Sequence, residues 1–461
     1  MLVAADEAEN FSLDSHGIVE AMTTQLFPGM EAAGLDEESG VLVVAPEPPR
    51  LRRPDRQQLR MDPVCLEECL PSNHPARTVW RVVEKLDLSA FYEPLKARGS
   101  DPGRAATDPR LLVALWLYAA IDGVGRGREL DELCRRHDAY RWLCGGVSVN
   151  YHTLNDFRVG YGLALDELFT KVLTALIERD VVKVDRISQD SKRVRANAGT
   201  SSFHRKETLQ KRLDEVRRYV EELKRQAGEE LTAGQRAARE RAAREQQERV
   251  EQALALLPEL ERMRNNPRNN KKDRAKPVRV STTEPEVRKV KMPDGGVRPG
   301  YSVQVGSDPS SGAIVGVDVA TSSADSNQSE PMRKQVENRS GQRVGEHLMD
   351  EGYVDVESIE RAEQAGVKVY APLPKSRKTG EPVTASRWDT PWTRRWRERM
   401  QAAEAQEIYR RRFPCSERVN AELTDRMGLY RMAVRGVRKV RCVMLWMALA
   451  FNIIHFAQHL A

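Results

Sequence analysis

Three carboxylates in this sequence stand where an α/β fold gathers acids: Asp190, Asp350 and Glu417. Within a β-rich run, VVKVDRISQDSKRVRANA, Asp190 ends the first strand and leads into SKRVRANA. Asp350 ends a later extended stretch and precedes Glu351, Gly352 and Tyr353, where the glycine permits a tight turn. Glu417 lies in YRRRFPCSERVNAEL, a helical segment dense in arginine. Acids at strand ends together with one on a late helix suit Mg²⁺, which prefers carboxylate oxygens and keeps several waters. Two such ions about 3.5–4 Å apart activate an oxygen nucleophile and neutralise a departing oxygen, which is what phosphodiester hydrolysis and transesterification require. Asp185, on the same strand as Asp190, and the later Asp318 and Asp325 offer the same chemistry. Each of these, taken singly, is also an ordinary surface carboxylate.

The elements that must position these acids follow from pattern. From Arg77 to about Val182 the texture is helical. The clearest helix opens with Asp108 as N-cap and Pro109 at its first position, runs through LLVALWLYAAI and stops at Gly123. Shorter helices are expected over Glu129–Arg136 and Ala139–Cys144. Another should start at Thr153 and carry Asn155 and Arg158, and a last one spans Leu163–Arg179. Polar residues on a late helix suit DNA binding, and a plain helical packing module fits the same pattern. After the first strand a block of extreme charge density runs from about Phe203 to Lys276. In it Leu209, Leu213, Val216, Val220 and Leu223 recur at alternating spacings of four and three, a heptad seam. Val250, Ala253, Leu254 and Leu257 mark a second helix after a break at Gly228–Gly234, so an antiparallel helical hairpin is expected. Strands resume at Val287–Lys291, Tyr301–Val305 and Ala313–Val319, with a weaker one at Val344–Met349. Asp355 caps a short helix closed by Gly366, and Val367–Ala371 is a further strand. Thr390 and Pro391 open the helical remainder.

Bulk composition decides less. A chain of 461 residues holds two or three domains, and its net charge of +6 favours a polyanionic partner only mildly, because 74 Lys+Arg face 68 Asp+Glu. Six cysteines make no disulfide framework and point to a reducing cytoplasm. Cys65, Cys69 and His74 have no second cysteine pair at zinc-site spacing. No signal peptide is expected, and the apolar run Val443–Phe456 is short for a membrane span and contains Asn452 and His455, so a buried helix is expected there. Residues 1 to about 60 read as a tail and linker.

Arg411, Arg412, Arg418 and Arg435 surround Glu417, and guanidinium groups clamp phosphates bidentately. Helix-surface ion pairs with Glu407 and Glu422 are the plainer role for them. Trp388, Trp392 and Trp396 recur every fourth residue and suit one core-facing helix stripe better than a base-stacking platform.

The segments LDLSAFYE, DPRLLVALWLYAAIDGVGRGREL, HDAYRWLCGGVSVNYHTLNDFR, QDSKRVRANA, DEGY and ERVNAELTDRMGLYRMAVRG occur in order along the chain. Through them the sequence, from about Gln57 to its end, resembles the transposases of bacterial insertion sequences with a DDE catalytic core, in the large group related to the IS-four and IS-five types. The resemblance implies an α/β ribonuclease H-like core, a mixed five-stranded sheet with helices, preceded by an all-α domain and interrupted by the helical hairpin. The corresponding boundaries are 1–60 for the tail, 61–182 for a helical DNA-binding domain, 183–202 with 277–461 for the catalytic domain, and 203–276 for the insertion. It further implies Asp190, Asp350 and Glu417 as the catalytic, metal-binding triad for two Mg²⁺ (or Mn²⁺) ions. Arg158, Arg412, Arg418 and Arg435 are then DNA contacts, and the partners are double-stranded DNA, as terminal inverted repeats and target, and a second copy of the chain in the cytoplasm, at the nucleoid, with no membrane involved. Two departures stand out. Four residues, not three, separate Arg412 from Glu417, and Thr424 occupies the family's lysine position, while Ser191 replaces a glycine after the first acid. A related nuclease, or a catalytically inactive DNA-binding repressor, would share these features.

Overall fold

The computed structural model describes residues 63, 65–95, 105–225, 233–266, 275–321, 324–376 and 378–460. The expected N-terminal tail and most of the expected break at Gly228–Gly234 lie outside them; Ala233 and Gly234 already belong to the second hairpin helix. A helical layer comes first: α1 (Pro75–Lys85), α2 (Pro109–Ile121), α3 (Gly127–Arg136), α4 (Asp138–Cys144), α5 (Tyr151–Gly160) and α6 (Gly162–Glu178). Helix α2 begins as its sequence dictates, with the Asp108 carboxylate accepting from the Arg110 N–H at 2.8 Å and Pro109 in the first turn. It is apolar on every side, and nearly all of it is buried, as a central helix must be. Gly123 ends it at φ +73°, where a Cβ would lie 2.9 Å from the Arg426 carbonyl oxygen. Helix α5 starts three residues earlier than Thr153 suggests, because Asn150 is the cap and accepts from the Thr153 N–H at 3.0 Å.

Strand β1 (Arg186–Arg195) opens the sheet and is followed by the charged insertion. A two-stranded neck, β2 (Phe203–His204) against β3 (Val280–Ser281), closes the insertion at its base. Above the neck stand α7 (Lys206–Arg225) and α8 (Ala233–Arg264). Leu209 of α7, Val250, Ala253 and Leu257 of α8 and Val280 of the neck form one apolar cluster; Val216, Val220, Leu223 and Ala243 form a second further out. The heptad seam therefore joins the two helices to each other.

The sheet continues with β4 (Arg288–Lys291), β5 (Val297–Ser307), β6 (Ile314–Ala320), helix α9 (Ser329–Ser340), β7 (Glu346–Leu348), helix α10 (Val356–Gln364) and β8 (Lys368–Tyr370). Its order is β4-β5-β1-β7-β8 with β6 also on β5, so it has six strands, β4 and β6 sharing one edge of the long β5. β5 is antiparallel to β4, β1 and β6, whereas β7 is parallel to β1 and β8 to β7. The β1–β7 register, Arg186 beside Glu346 and Ser188 beside Leu348, sets the carboxyl end of β7 against the first half of β1, where Asp190 lies mid-strand rather than at the strand's end.

Helices α11 (Pro391–Gln401), α12 (Ala403–Arg410), α13 (Arg412–Ala421) and α14 (Val437–Leu460) complete the chain. α14 is long and apolar enough to cross a membrane, but its apolar window is 72% buried, against α1, α2, α5, α6 and β6. The helical layer and the sheet thus share one core. Asn452, which interrupts this apolar run, has a structural use. Its side-chain amide accepts from the Ile314 N–H at 2.9 Å and donates to the Ile314 carbonyl at 2.8 Å, pairing the free edge of β6.

Candidate active site

Side chains of β1 alternate between the two faces of the sheet. Ser188 and Asp190 point to the face covered by α13. Gln189, Ser191 and Arg193 point to the other. α13 meets the first face through a stripe of residues four apart. Arg412 Nη2 lies 3.4 Å from Asp190 Oδ1, the Ser416 hydroxyl lies 2.9 Å from that of Ser188, and Asn420 Nδ2 donates to Asp190 Oδ2 at 2.9 Å. The same Arg412 nitrogen is 3.5 Å from Asp350 Oδ2. Asp190 and Asp350, from different strands, therefore converge on one guanidinium. Burial pushes the Asp190 carboxyl above its ordinary range, against the pull of Arg412, and the nearby Asp350 and Asp325 act in the same upward direction.

Asp350 caps the turn after β7 by accepting from the Gly352 N–H at 2.8 Å. A Cβ at Gly352 would lie 3.1 Å from Asp350 Oδ1, so a larger residue here would press on that carboxylate. The next residue, Tyr353, is buried and donates its hydroxyl to Gln304 of β5. That bond ties the turn to the middle of the sheet.

Glu417 is not brought to this pair. It follows Ser416 on α13, about 100° further round the helix, and is exposed. Among the described residues no three His, Cys, Asp or Glu side chains are grouped to hold a metal ion. The cause is visible in the spacing. With three residues after Arg412, the glutamate would occupy position 416, the one that faces Ser188. The helix then passes into a π-turn, Glu422–Arg426, closed by a bond of 3.0 Å from the Met427 N–H to the Glu422 carbonyl, which accommodates one extra residue.

The competing acids have other positions. Asp185 lies before the amino end of β1, exposed, with its carbonyl accepting from Gly345 and Glu346. Asp318 is half-buried in β6, where it accepts from the Val319 N–H at 2.9 Å. Asp325 is buried on the far face of β1 and takes Arg193 at 2.6 and 3.2 Å, Ser191 at 3.0 Å, Ser302 at 3.0 Å and Gln304 at 2.8 Å. Composition gave no sign of this network, since its donors come from two strands separated by the insertion.

The arginines divide. Arg158 is buried, with its guanidinium over the Trp116 ring, 4.6 Å from the centroid, and donating to the Gly125 carbonyl at 2.6 Å. This corrects its assignment to a DNA surface: it is a core cation that ties α5 to α2. Arg412 is buried between the two acids. Arg418 is exposed and reaches the Ser311 carbonyl at 3.4 Å, and Arg435 is exposed. Glu407 and Glu422 pair with Arg410 and Arg426 instead. The three tryptophans do not form one stripe. Thr390 caps α11, so Trp388 precedes the helix and is 76% exposed, whereas Trp396 is in the core.

Residues 275–453 match the family described as the transposase DDE domain, and residues 64–159 match a transposase domain, DUF772. The first match contains Asp350 and Glu417; Asp190 lies outside both. No curated protein and no solved structure matches the chain. With a helical transposase domain leading into a mixed α/β DDE domain, the chain belongs to the DDE transposases of insertion sequences.

Proposed function

We propose that this protein binds the terminal inverted repeats of its bacterial insertion sequence, cuts DNA at the element's ends and joins the freed 3′ ends to target DNA. The observation that carries this reading is the convergence on Arg412 of Asp190, from the middle of β1, and Asp350, just beyond the carboxyl end of the adjacent parallel strand β7. A sheet in which β5 is antiparallel to β1, β4 and β6, with β7 and β8 added in parallel beside β1, is in keeping with a ribonuclease H-like core. The same reading takes 61–182 as the DNA-binding domain, 183–202 with 277–461 as the catalytic domain and 203–276 as an insertion. It also takes the working unit as a homodimer on paired DNA ends in the cytoplasm, at the nucleoid.

Asp190 and Asp350 suit a divalent cation, since both present carboxylate oxygens within 3.5 Å of a single cationic nitrogen. Two bound Mg²⁺ (or Mn²⁺) ions would supply the activation of water and of the 3′ hydroxyl and the neutralisation of the departing oxygen. Asn420 fixes the orientation of the Asp190 carboxylate through its hydrogen bond. Arg412 is held at the point where a scissile phosphate would approach and can exchange its acid partners for phosphate oxygens; Arg418 and Arg435 lie exposed nearby in sequence for backbone contacts. Glu417, exposed on the same helix as Arg412 and Asn420, is the third ligand in this reading.

The test is Asp350→Asn. Mg²⁺-dependent cleavage of a terminal-repeat duplex is expected to vanish while binding of that duplex persists. Equal cleavage by the substituted and unsubstituted chains would sink the catalytic assignment. A second reading, a DNA-binding repressor without catalysis, draws on the exposure of Glu417 away from the acid pair. Absence of cleavage by the unsubstituted chain, with binding intact, would favour it.

A further inference from the structure

We infer that the groove between the base of the helical insertion and the β4–β6 margin of the sheet is a channel for the sugar–phosphate backbone of duplex DNA. The inference rests on the transposase reading above and gives the insertion a role in it.

The groove encloses about 1330 Å³ and its walls carry Arg205, Arg264, Lys276, Arg279, Arg288 and Lys289. These cations come from both sides: Arg205, Arg264, Lys276 and Arg279 from the insertion and its neck, Arg288 and Lys289 from β4. Glu259 and Glu286 are the acids on the walls, and Glu286 is engaged by the Val437 N–H at 2.8 Å. The excess of positive charge is therefore concentrated along one path, which is what phosphate binding needs and what a net charge of +6 does not by itself reveal.

Its position follows from strand direction. β1 and β6 are both antiparallel to β5, so they run parallel to each other. Across β5 Asp190 is level with Val317, so Val319, Ala320 and Thr321, which line the groove at the carboxyl end of β6, lie just beyond it in the direction in which β1 runs. Gln328 ties the groove to β1: it lines the groove, and its carbonyl accepts from Gln189, on the face of β1 opposite Asp190, at 3.1 Å.

The chemistry points to backbone rather than bases. Phe203, an aromatic side chain on the wall, is buried, and Lys289 covers its ring with Nζ 5.1 Å from the centroid. No stacking platform faces the groove from it, so recognition would rest on charge. The walls are already fixed, because the β2–β3 neck and the cluster of Leu209, Val250, Ala253, Leu257 and Val280 anchor the insertion. A preformed channel binds without the cost of ordering a loop.

The experiment measures binding of a labelled duplex by the full chain over a series of NaCl concentrations. The groove variant is Arg205→Ala/Arg279→Ala/Lys289→Ala. The comparison variant removes an equal number of exposed cations, three arginines, from the insertion away from the groove, Arg218→Ala/Arg239→Ala/Arg241→Ala. The groove variant should weaken binding by about 10-fold or more at low salt and flatten the slope of log K against log salt by about 2 to 3, near 0.9 per lost phosphate contact. The comparison variant should keep the original slope, and both should keep the original unfolding temperature. An unchanged slope in the groove variant, or an equal loss in the comparison variant, would overturn the channel. So would a shift from dimer to monomer in sedimentation with the slope intact, since the groove would then face a second copy. Failure of the unsubstituted chain to bind the duplex would instead overturn the transposase reading beneath it.

Discussion

The two faces of β1 treat a carboxylate in opposite ways. On one, Asp325 is buried with a full set of donors, Arg193, Ser191, Ser302 and Gln304, and is bound into the sheet. On the other, Asp190 has one good hydrogen bond from a side chain, Asn420, an arginine at 3.4 Å, and a second acid across that arginine. The first arrangement stabilises the fold. The second holds two acids on one guanidinium and raises the Asp190 carboxyl, which is how a site stores affinity for a cation or a phosphate. Sequence position does not separate these two aspartates; the face of the strand does.

The contrast can be broken most strongly at Asp325. Asp325→Ala leaves Arg193 without its counter-charge and strips Ser302 and Gln304 of an acceptor, and should destabilise the chain by roughly 3 kcal/mol or more in chemical denaturation. A loss below about 1 kcal/mol would mean that the network is not structural.

His347 sharpens the same contrast through pH. It lies on β7 beside Ile187, fully buried, and burial with the nearby Arg333 pushes its imidazole down to about 3. The unfolded chain binds a proton near pH 6.5 and the folded chain does not, so this residue's contribution is complete above about 6.5 and is lost as pH falls towards 3. It should add a slope of up to about 1.4 kcal/mol per pH unit in that window, and His347→Phe should remove it. An identical pH–stability curve for the variant would contradict the assignment.

The smallest effect is expected on the active face, and its sign is the informative part. Because the Asp190 carboxyl is held above its ordinary value, its ionised form costs stability at neutral pH. Asp190→Asn should therefore raise the unfolding temperature of the protein in a metal chelator while cleavage is lost. A lower unfolding temperature would place Asp190 with Asp325 among the structural acids.

Much of the frame was legible before the structure. The cap and proline at Asp108–Pro109, the heptad seam from Leu209 to Leu223, and Asp355 opening a helix that Gly366 ends are local signals, and the chain folds as they indicate. What escaped depends on partners distant in sequence. Arg158 resembles a surface cation until Trp116 and Gly125 are placed against it. Asp325 gains its donors from β1 and β5, on the two sides of the insertion. The third acid was legible as a motif but not as a position, because one residue more between Arg412 and Glu417 rotates the glutamate off the stripe that faces β1.

The two-stranded neck has a consequence for how the chain folds. β1 and β5 must find each other across the whole insertion, a separation that ordinarily slows folding through loop-closure entropy. The hairpin forms from near neighbours, and once Phe203 is paired with Ser281 its length drops out of the search. The segment that β1 and β5 must then close is the short remainder on either side of the neck. A change in the length of α7 and α8 beyond their anchored base would accordingly leave both the pairing of β1 with β5 and the approach of Asp190 to Asp350 nearly untouched.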